Sequence, residues 1–134
     1  MALQLSTAYR NAMLDQFEAT TGTSAKLEIF TGSQPANCAA ADSGTKLVSI
    51  ILPSDWMSAA SGGVKALTGT WQGTGIAGGS AGHFRVKDST GTTTHMQGTV
   101  TATGGGGDLT LDNVSIAVSQ TVTITTFTLT APGV

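Results

Sequence analysis

Beyond Gly22 the chain is a succession of short apolar runs, many alternating with polar residues, separated by turns rich in glycine. That punctuation constrains the fold more than any other feature. A strand needs only a short run, because its side chains alternate between two faces. Glycine weakens the interior of helices and strands, and marks turns, bulges and close approaches of backbone. Leu27 and Ile29 alternate with Lys26 and Glu28. Leu47 to Leu52 is nearly continuous, the pattern of a strand covered on both faces, and Pro53 ends it. Leu67 to Trp71 reads as a further strand, and Leu109 and Leu111 alternate with polar residues. Asp112-Asn113 turns the chain, after which Ile116 and Val118 share a phase. Gly32 to Gly44, holding Pro35, Asn37 and Cys38, reads as a loop; 53–66 reads as a helical turn or an irregular excursion, and Gly73 to Gly82 as a Gly-rich stretch. Five or more short strands predict a mainly-β fold, a single-domain antiparallel β-sandwich or jelly-roll with a β body over 25–134. A length of 134 residues suits one domain, 1–134, with one core.

Two stretches predict more detail. In the hairpin from His83 to Val100, Asp88-Ser89-Thr90-Gly91 carries the Asp and Gly of a type I turn. With Gly91 as the αL residue of a bulge, Asp88 lies across from Thr92, Phe84 from Met96 and Val86 from Thr94. His83, Arg85 and Lys87 then share a polar face with Thr93, His95 and Gln97, and the sheet is expected to be half-buried with that face in solvent. Near the end, Val122 and Ile124 take one phase and Phe127 and Leu129 the other. The switch near Thr125-Thr126 implies a bulge or a strand that changes partner.

The N-terminal segment, 1–22, predicts the single helix. Ser6 or Thr7 can cap it, though no Glu or Gln follows at the position that completes a capping box. Tyr9, Met13 and Phe17 recur at i, i+4 and i+8, with Leu5 and Ala12 close to the same face and Arg10, Asp15 and Glu18 on others. Such a helix is too short to persist alone, so its apolar stripe is expected to dock.

Charge then limits function. Only 10% of residues are charged, and the net charge is −2, against roughly 25% charged in an ordinary domain. The six Lys and Arg do not cluster, and none follows Lys87. The counterion-releasing stripe of a nucleic-acid binder is missing, so no nucleic-acid partner is expected. An uncharged surface rich in Thr, Ser, Gly and Ala suits contact with other protein, since few charges need desolvating. A single cysteine rules out an intrachain disulfide. The first ten residues lack the pattern of a secretory signal, and no stretch reaches the ~18 apolar residues of a membrane span, so folding in a cytoplasm and no membrane partner are expected.

Motifs for catalysis fail on context. Gly78-Gly79-Ser80-Ala81-Gly82 fits a G-x-S-x-G elbow, and Gly73-Thr74-Gly75-Ile76-Ala77-Gly78 fits G-x-G-x-x-G, but each requires a following helix where a strand is predicted. His83 and His95 share a face without a third ligand, and read as two surface histidines. Cys38 has no base beside it in sequence. Asp108, Asp112 and Asn113 match no calcium loop and read as turn residues. No catalytic residue, metal or cofactor is therefore expected. Tyr9, Trp56 and Trp71 are the scarce large aromatics; core packing is the ordinary role of such residues, and an exposed one would anchor an interface.

Several segments resemble a group of small proteins encoded among phage and prophage structural genes. These are Leu5 to Asp15, Leu27 to Gly32 followed by Pro35 to Ala40, Leu52 to Trp56, Ala81 to Val86, and Val122 to Thr130. The resemblance covers most of the chain and implies a non-enzymatic virion protein made in the bacterial host cytoplasm. The leading expectation is a capsid decoration (cement) protein, a homotrimer bound to the major capsid protein. A tail, collar or fibre position and a glycan-binding β-sandwich are the alternatives. The interface candidates are Tyr9, Met13, Phe17, Trp56 and Trp71.

Overall fold

A computed structural model describes residues 3–133. Met1, Ala2 and Val134, the outermost ends of the expected helical segment and domain, lie outside the described residues.

The helix α1 runs Thr7–Thr21. The Ser6 hydroxyl accepts from the Tyr9 amide at 3.2 Å and caps its start. Gly22, at φ +91°, ends it, donating its N–H to the Glu18 carbonyl at 2.9 Å. Ten strands follow: β1 Lys26–Thr31, β2 Lys46–Ile51, β3 Val64–Ala66, β4 Trp71–Thr74, β5 Gly79–Lys87, β6 Thr94–Ala102, β7 Leu109–Leu111, β8 Ser115–Ile116, β9 Thr121–Ile124 and β10 Thr128–Thr130. The large sheet has the order β2-β1-β5-β6-β7, with β8 paired to the start of β5. Two small sheets, β4-β9 and β10-β3, complete the structure. The fold is mainly β and sandwich-like with one N-terminal helix. It is mixed rather than purely antiparallel, because β7 runs parallel to β6.

The core lies between the large sheet and the small ones. Leu27, Ile29, Val48, Ile50, Phe84 and Val86 are almost fully buried against Trp56, Trp71, Val122, Ile124 and Phe127. Phe127 packs edge-to-face on Phe84 at 5.7 Å, and Trp71 bridges Phe127 and Trp56 at 5.6 and 6.0 Å. β4 crosses β2 closely at Gly73, where a Cβ would lie 2.9 Å from the Ile50 side chain and 3.2 Å from the Ser49 carbonyl. Glycine there lets the two sheets approach.

The phase switch is a change of partner: β9 pairs with β4, and after Thr125-Thr126-Phe127 the chain enters β10 and pairs with β3. The expected strand at Leu67–Trp71 falls later, at β4; Leu67 makes only an isolated bridge to Met57. The hairpin register differs by two residues, with Val86 opposite Met96 and Phe84 opposite Gly98. Gly91 is αL at φ +73°, but the Asp88 carboxylate accepts from the Thr92 amide and the Thr90 hydroxyl, widening the loop until Asp88 N–H meets the Thr93 carbonyl. The even shift keeps Phe84, Val86 and Met96 on one face, but a bulge between Val86 and Lys87 brings Thr94, expected opposite Val86, opposite Lys87 instead. Burial on both faces of β2 holds for Leu47, Val48 and Ile50 but not Ile51, which is 66% exposed at the end of an edge strand. Val118, expected in phase with Ile116, is likewise exposed.

Candidate functional site: an outward apolar row and a buried ionic cluster

The helix docks by a different face from the one its apolar spacing predicts. Arg10, Leu14 and Thr21 are buried, Phe17 is half-buried, and Tyr9 and Met13 are 58% and 40% exposed. The cause is the segment beneath. Residues 53–66 are mostly irregular, and their backbone N–H groups need acceptors that no neighbouring strand supplies. Helix side chains provide them. Asn11 Oδ1 accepts from Gly63 N–H at 2.8 Å and Asp15 Oδ1 from Ala60 N–H at 2.9 Å. Glu18 Oε2 accepts from both Trp56 and Met57 N–H, at 3.1 and 3.0 Å. Arg10 donates through Nε and Nη2 to the Ala131 carbonyl at 3.2 and 2.8 Å. Lys65, 2% exposed, reaches Asp15 at 2.8 Å, Glu18 at 3.2 Å and the Ser58 carbonyl at 2.7 Å. Burial alone would lower the Lys65 pKa, but the hydrogen bonds to Asp15 and Glu18 outweigh it and hold the ammonium above its usual range. The Lys65 hydrogen bond, with that from Ala60, holds Asp15 below the carboxylate range. Phe17 adds an edge-to-face contact with Trp56 at 5.5 Å. The polar side of α1 is thus fastened down, and Tyr9 and Met13 face outward.

Trp56 and Trp71 are fully buried and cannot serve as interface anchors. Their indole N–H groups are spent internally. Trp56 donates to the Gly22 carbonyl at 3.0 Å, and Trp71 is shared between the Trp56 and Thr68 carbonyls at 3.1 Å each. Core packing, the ordinary role of such residues, is what they do.

The second unexpected feature is the polar face of the hairpin. It was expected in solvent, yet His83, Arg85 and Lys87 are buried. The β1–β2 loop folds over it and is latched by the side chains beneath. Arg85 donates to Asp42 at 2.6 Å and to the Asn37 and Cys38 carbonyls at 3.2 and 3.1 Å. Lys87 bridges Asp42 at 2.6 Å and Glu28 at 2.7 Å, and Glu28 also takes Lys46 at 2.9 Å. Gln97 donates to the Pro35 carbonyl at 2.7 Å. Phe30 forms the floor: His83 stacks on it at 5.1 Å, and the Lys46 and Lys87 ammonium groups lie 5.9 and 5.7 Å from its centroid. Burial works against the charge on Asp42 and Lys87, but their hydrogen bonds win, so Asp42 is held below and Lys87 above the usual range. Opposite charges paired and hydrogen-bonded in this way can remain ionised out of water.

The remaining motif residues are structural. Gly79, Ser80 and Ala81 lie in the start of β5, followed by more strand rather than a helix. Gly75 ends its motif's first half packed on the Ala117 carbonyl. His95 lines a groove with Met13, Gln16, Phe17 and Thr20, apart from His83 beneath the β1–β2 loop. Asn113 accepts from the Ser115 amide, which is turn chemistry, whereas Asp108, expected as a turn residue, accepts from the amide and hydroxyl of Thr99 on β6. Among the described residues no group of three or more His, Cys, Asp or Glu is placed to hold a metal. A depression of about 580 Å³, open to solvent, lies between Cys38–Asp42 and Gly91–Thr94. Among the described residues no helix is long and apolar enough to cross a membrane.

No family model, curated protein or solved structure matches this chain.

Sequence reasoning missed the inward role of Asn11, Asp15 and Glu18. They recur at i, i+4 and i+7, a helical row as regular as the apolar one. Glu28, alone among Leu27, Ile29 and Phe30, was the corresponding signal for a buried charge.

Proposed function

We propose that this chain is a non-enzymatic structural protein of a bacteriophage particle, a capsid decoration protein that docks on the major capsid protein through the outer row of α1. The observation that carries this reading is the inverted helix. Where a helix is held down by its polar side, the apolar row left outside gains nothing from the fold, and contact with a partner would bury it. Tyr9 and Met13 are that row, and a tyrosine supplies large contact area at low entropic cost. Trimeric assembly belongs to the same proposal, since multiple copies of a weak contact on a rigid lattice gain by avidity. The sparse surface charge and the phage-like segments support it. A glycan-binding role loses its strongest aromatics, because Trp56 and Trp71 are buried.

The test mixes purified protein with heads lacking it. Saturable binding at copy numbers comparable with the capsid subunit, lost in Tyr9→Ser/Met13→Ser, is the expected result. No binding at saturating concentration overturns the decoration role, and labelling that marks one locus on intact particles moves the protein to the tail, collar or fibre.

A further inference from the structure

Three buried polar atoms beneath the β1–β2 loop have no hydrogen-bond partner among the described residues: His83 Nε2, Arg85 Nε and Gln97 Oε1. A fourth, Glu28 Oε1, lies 2.7 Å from Lys87 Nζ and is satisfied by that ion pair. The three belong to neighbouring positions on one face. Arg85 and Gln97 are directly opposite in the β5–β6 ladder, and His83 is two residues along β5, opposite Thr99. Side chains so related are direct and diagonal neighbours. We propose that they converge on one ordered water molecule, enclosed by the loop.

The roles of the three atoms are fixed by their other bonds. His83 Nδ1 lies 2.9 Å from the Gly32 carbonyl. A carbonyl only accepts, so Nδ1 carries the proton, and in that tautomer Nε2 is an acceptor. Gln97 donates its Nε2 to the Pro35 carbonyl at 2.7 Å, which fixes Oε1 as the acceptor. Arg85 Nε–H is a donor and nothing else. The site therefore offers one donor and two acceptors. Water accepts the first and donates its two protons to the others, making about the three bonds usual for a buried water. An anion would meet two acceptors, and a metal cation would meet the Arg85 guanidinium, so the ligand class is a small neutral molecule that both donates and accepts.

Position gives the water a role. The three side chains hold the loop at successive points: His83 at Gly32, Gln97 at Pro35, and Arg85 at Asn37 and Cys38. A shared water joins these latches into one network, so the loop is held as a unit.

A crystal structure of the full chain at a resolution showing ordered solvent, with a bromide soak, tests this. The expected result is a solvent peak within hydrogen-bond distance of all three atoms and no anomalous signal. Arg85 Nε bonded directly to Gln97 Oε1, an empty gap, or a bromide peak at the site overturns it. Oxygen-17 relaxation dispersion in solution supplies an independent count of long-lived waters. Gln97→Leu, and His83→Phe, which keeps the stack on Phe30, are each expected to lower that count by one relative to the unchanged chain. An equal count in all three folded proteins also overturns the proposal.

Discussion

Replacing Glu18 by alanine removes three interactions at once, and they are unequal. Glu18 Oε2 is the acceptor for both Trp56 and Met57 N–H, while Oε1 reaches only Lys65, at 3.2 Å. Trp56 and Met57 are buried, so alanine leaves two enclosed N–H groups without a partner, each costing about 1–3 kcal/mol. The Glu18 side chain is 20% exposed. Water entering the space it leaves recovers part of that cost. Lys65 is not orphaned, because Asp15 and the Ser58 carbonyl remain. The sum is about 2–4 kcal/mol of lost stability. For a chain of this size that lowers Tm by roughly 8–15 °C. Glu18→Gln separates the contributions: its amide oxygen still serves the two N–H groups, and only the Lys65 contact is lost, so about 1–2 kcal/mol is expected. Urea unfolding followed by tryptophan fluorescence reads both variants, with an unchanged m value as the control for a native-like fold. A cost below about 1 kcal/mol for Glu18→Ala, or equal costs for the two variants, would refute the view that acceptance of backbone N–H groups holds the helix down.

The other expected outcomes concern the core, a close approach, pH and the outward row. Trp71→Ala should cost about 3–5 kcal/mol in the same urea assay, since it empties the centre of the aromatic cluster. Gly82→Ala should destabilise by about 1–3 kcal/mol or more, because its Cβ would meet the Gly32 carbonyl and amide and force β1 from β5; Gly78→Ala, whose nearest contact is 3.8 Å away, should stay within about 0.5 kcal/mol. Asp15, Asp42 and Asp88 are held below the carboxylate range, so their contribution is complete above the unfolded value of ~3.9 and is lost as pH falls through the lower folded values. Lys65 and Lys87 are held above the lysine range, so theirs is complete below ~10.4 and is lost as pH rises through the folded values. These five groups should therefore lower Tm only outside these limits, at both ends; a higher Tm at pH 3 than at pH 7 would contradict the ion pairs. Tyr9→Ser and Met13→Ser should each leave stability within about 0.5 kcal/mol, measured by thermal melts.

The fold was legible where burial and periodicity agree. The capped helix, the Leu27 and Leu47 strands, the Asp88–Gly91 turn and the partner change after Ile124 all follow from local pattern. What failed to show was the direction in which polar residues face. Leu67 and Trp71 looked like one strand because both are apolar, yet Leu67 is only half-buried and the ladder begins at Trp71. His83, Arg85 and Lys87 alternate as a solvated face would, and only a long-range partner, the β1–β2 loop, covers them. Alternation reports that two faces differ, not which of them meets water.

Four of the six Lys and Arg residues, Arg10, Lys65, Arg85 and Lys87, are buried. A low charge content is usually read as a weakly charged surface; here it also supplies the interior. Each buried cation holds a non-strand segment: Arg10 the chain end at Ala131, Lys65 the turn at Ser58, Arg85 and Lys87 the β1–β2 loop. These segments have carbonyls and N–H groups that no ladder satisfies, and a charged side chain gives a stronger hydrogen bond than a neutral one. The same expenditure leaves Lys26 and Lys46 as the only Lys or Arg side chains that are not buried, both on the large sheet. A surface so poor in positive charge gains little from phosphates or anionic lipid. Its exposed apolar side chains on α1 then form a contact of low desolvation cost, which is why Tyr9 and Met13, rather than any charged residue, carry the functional proposal.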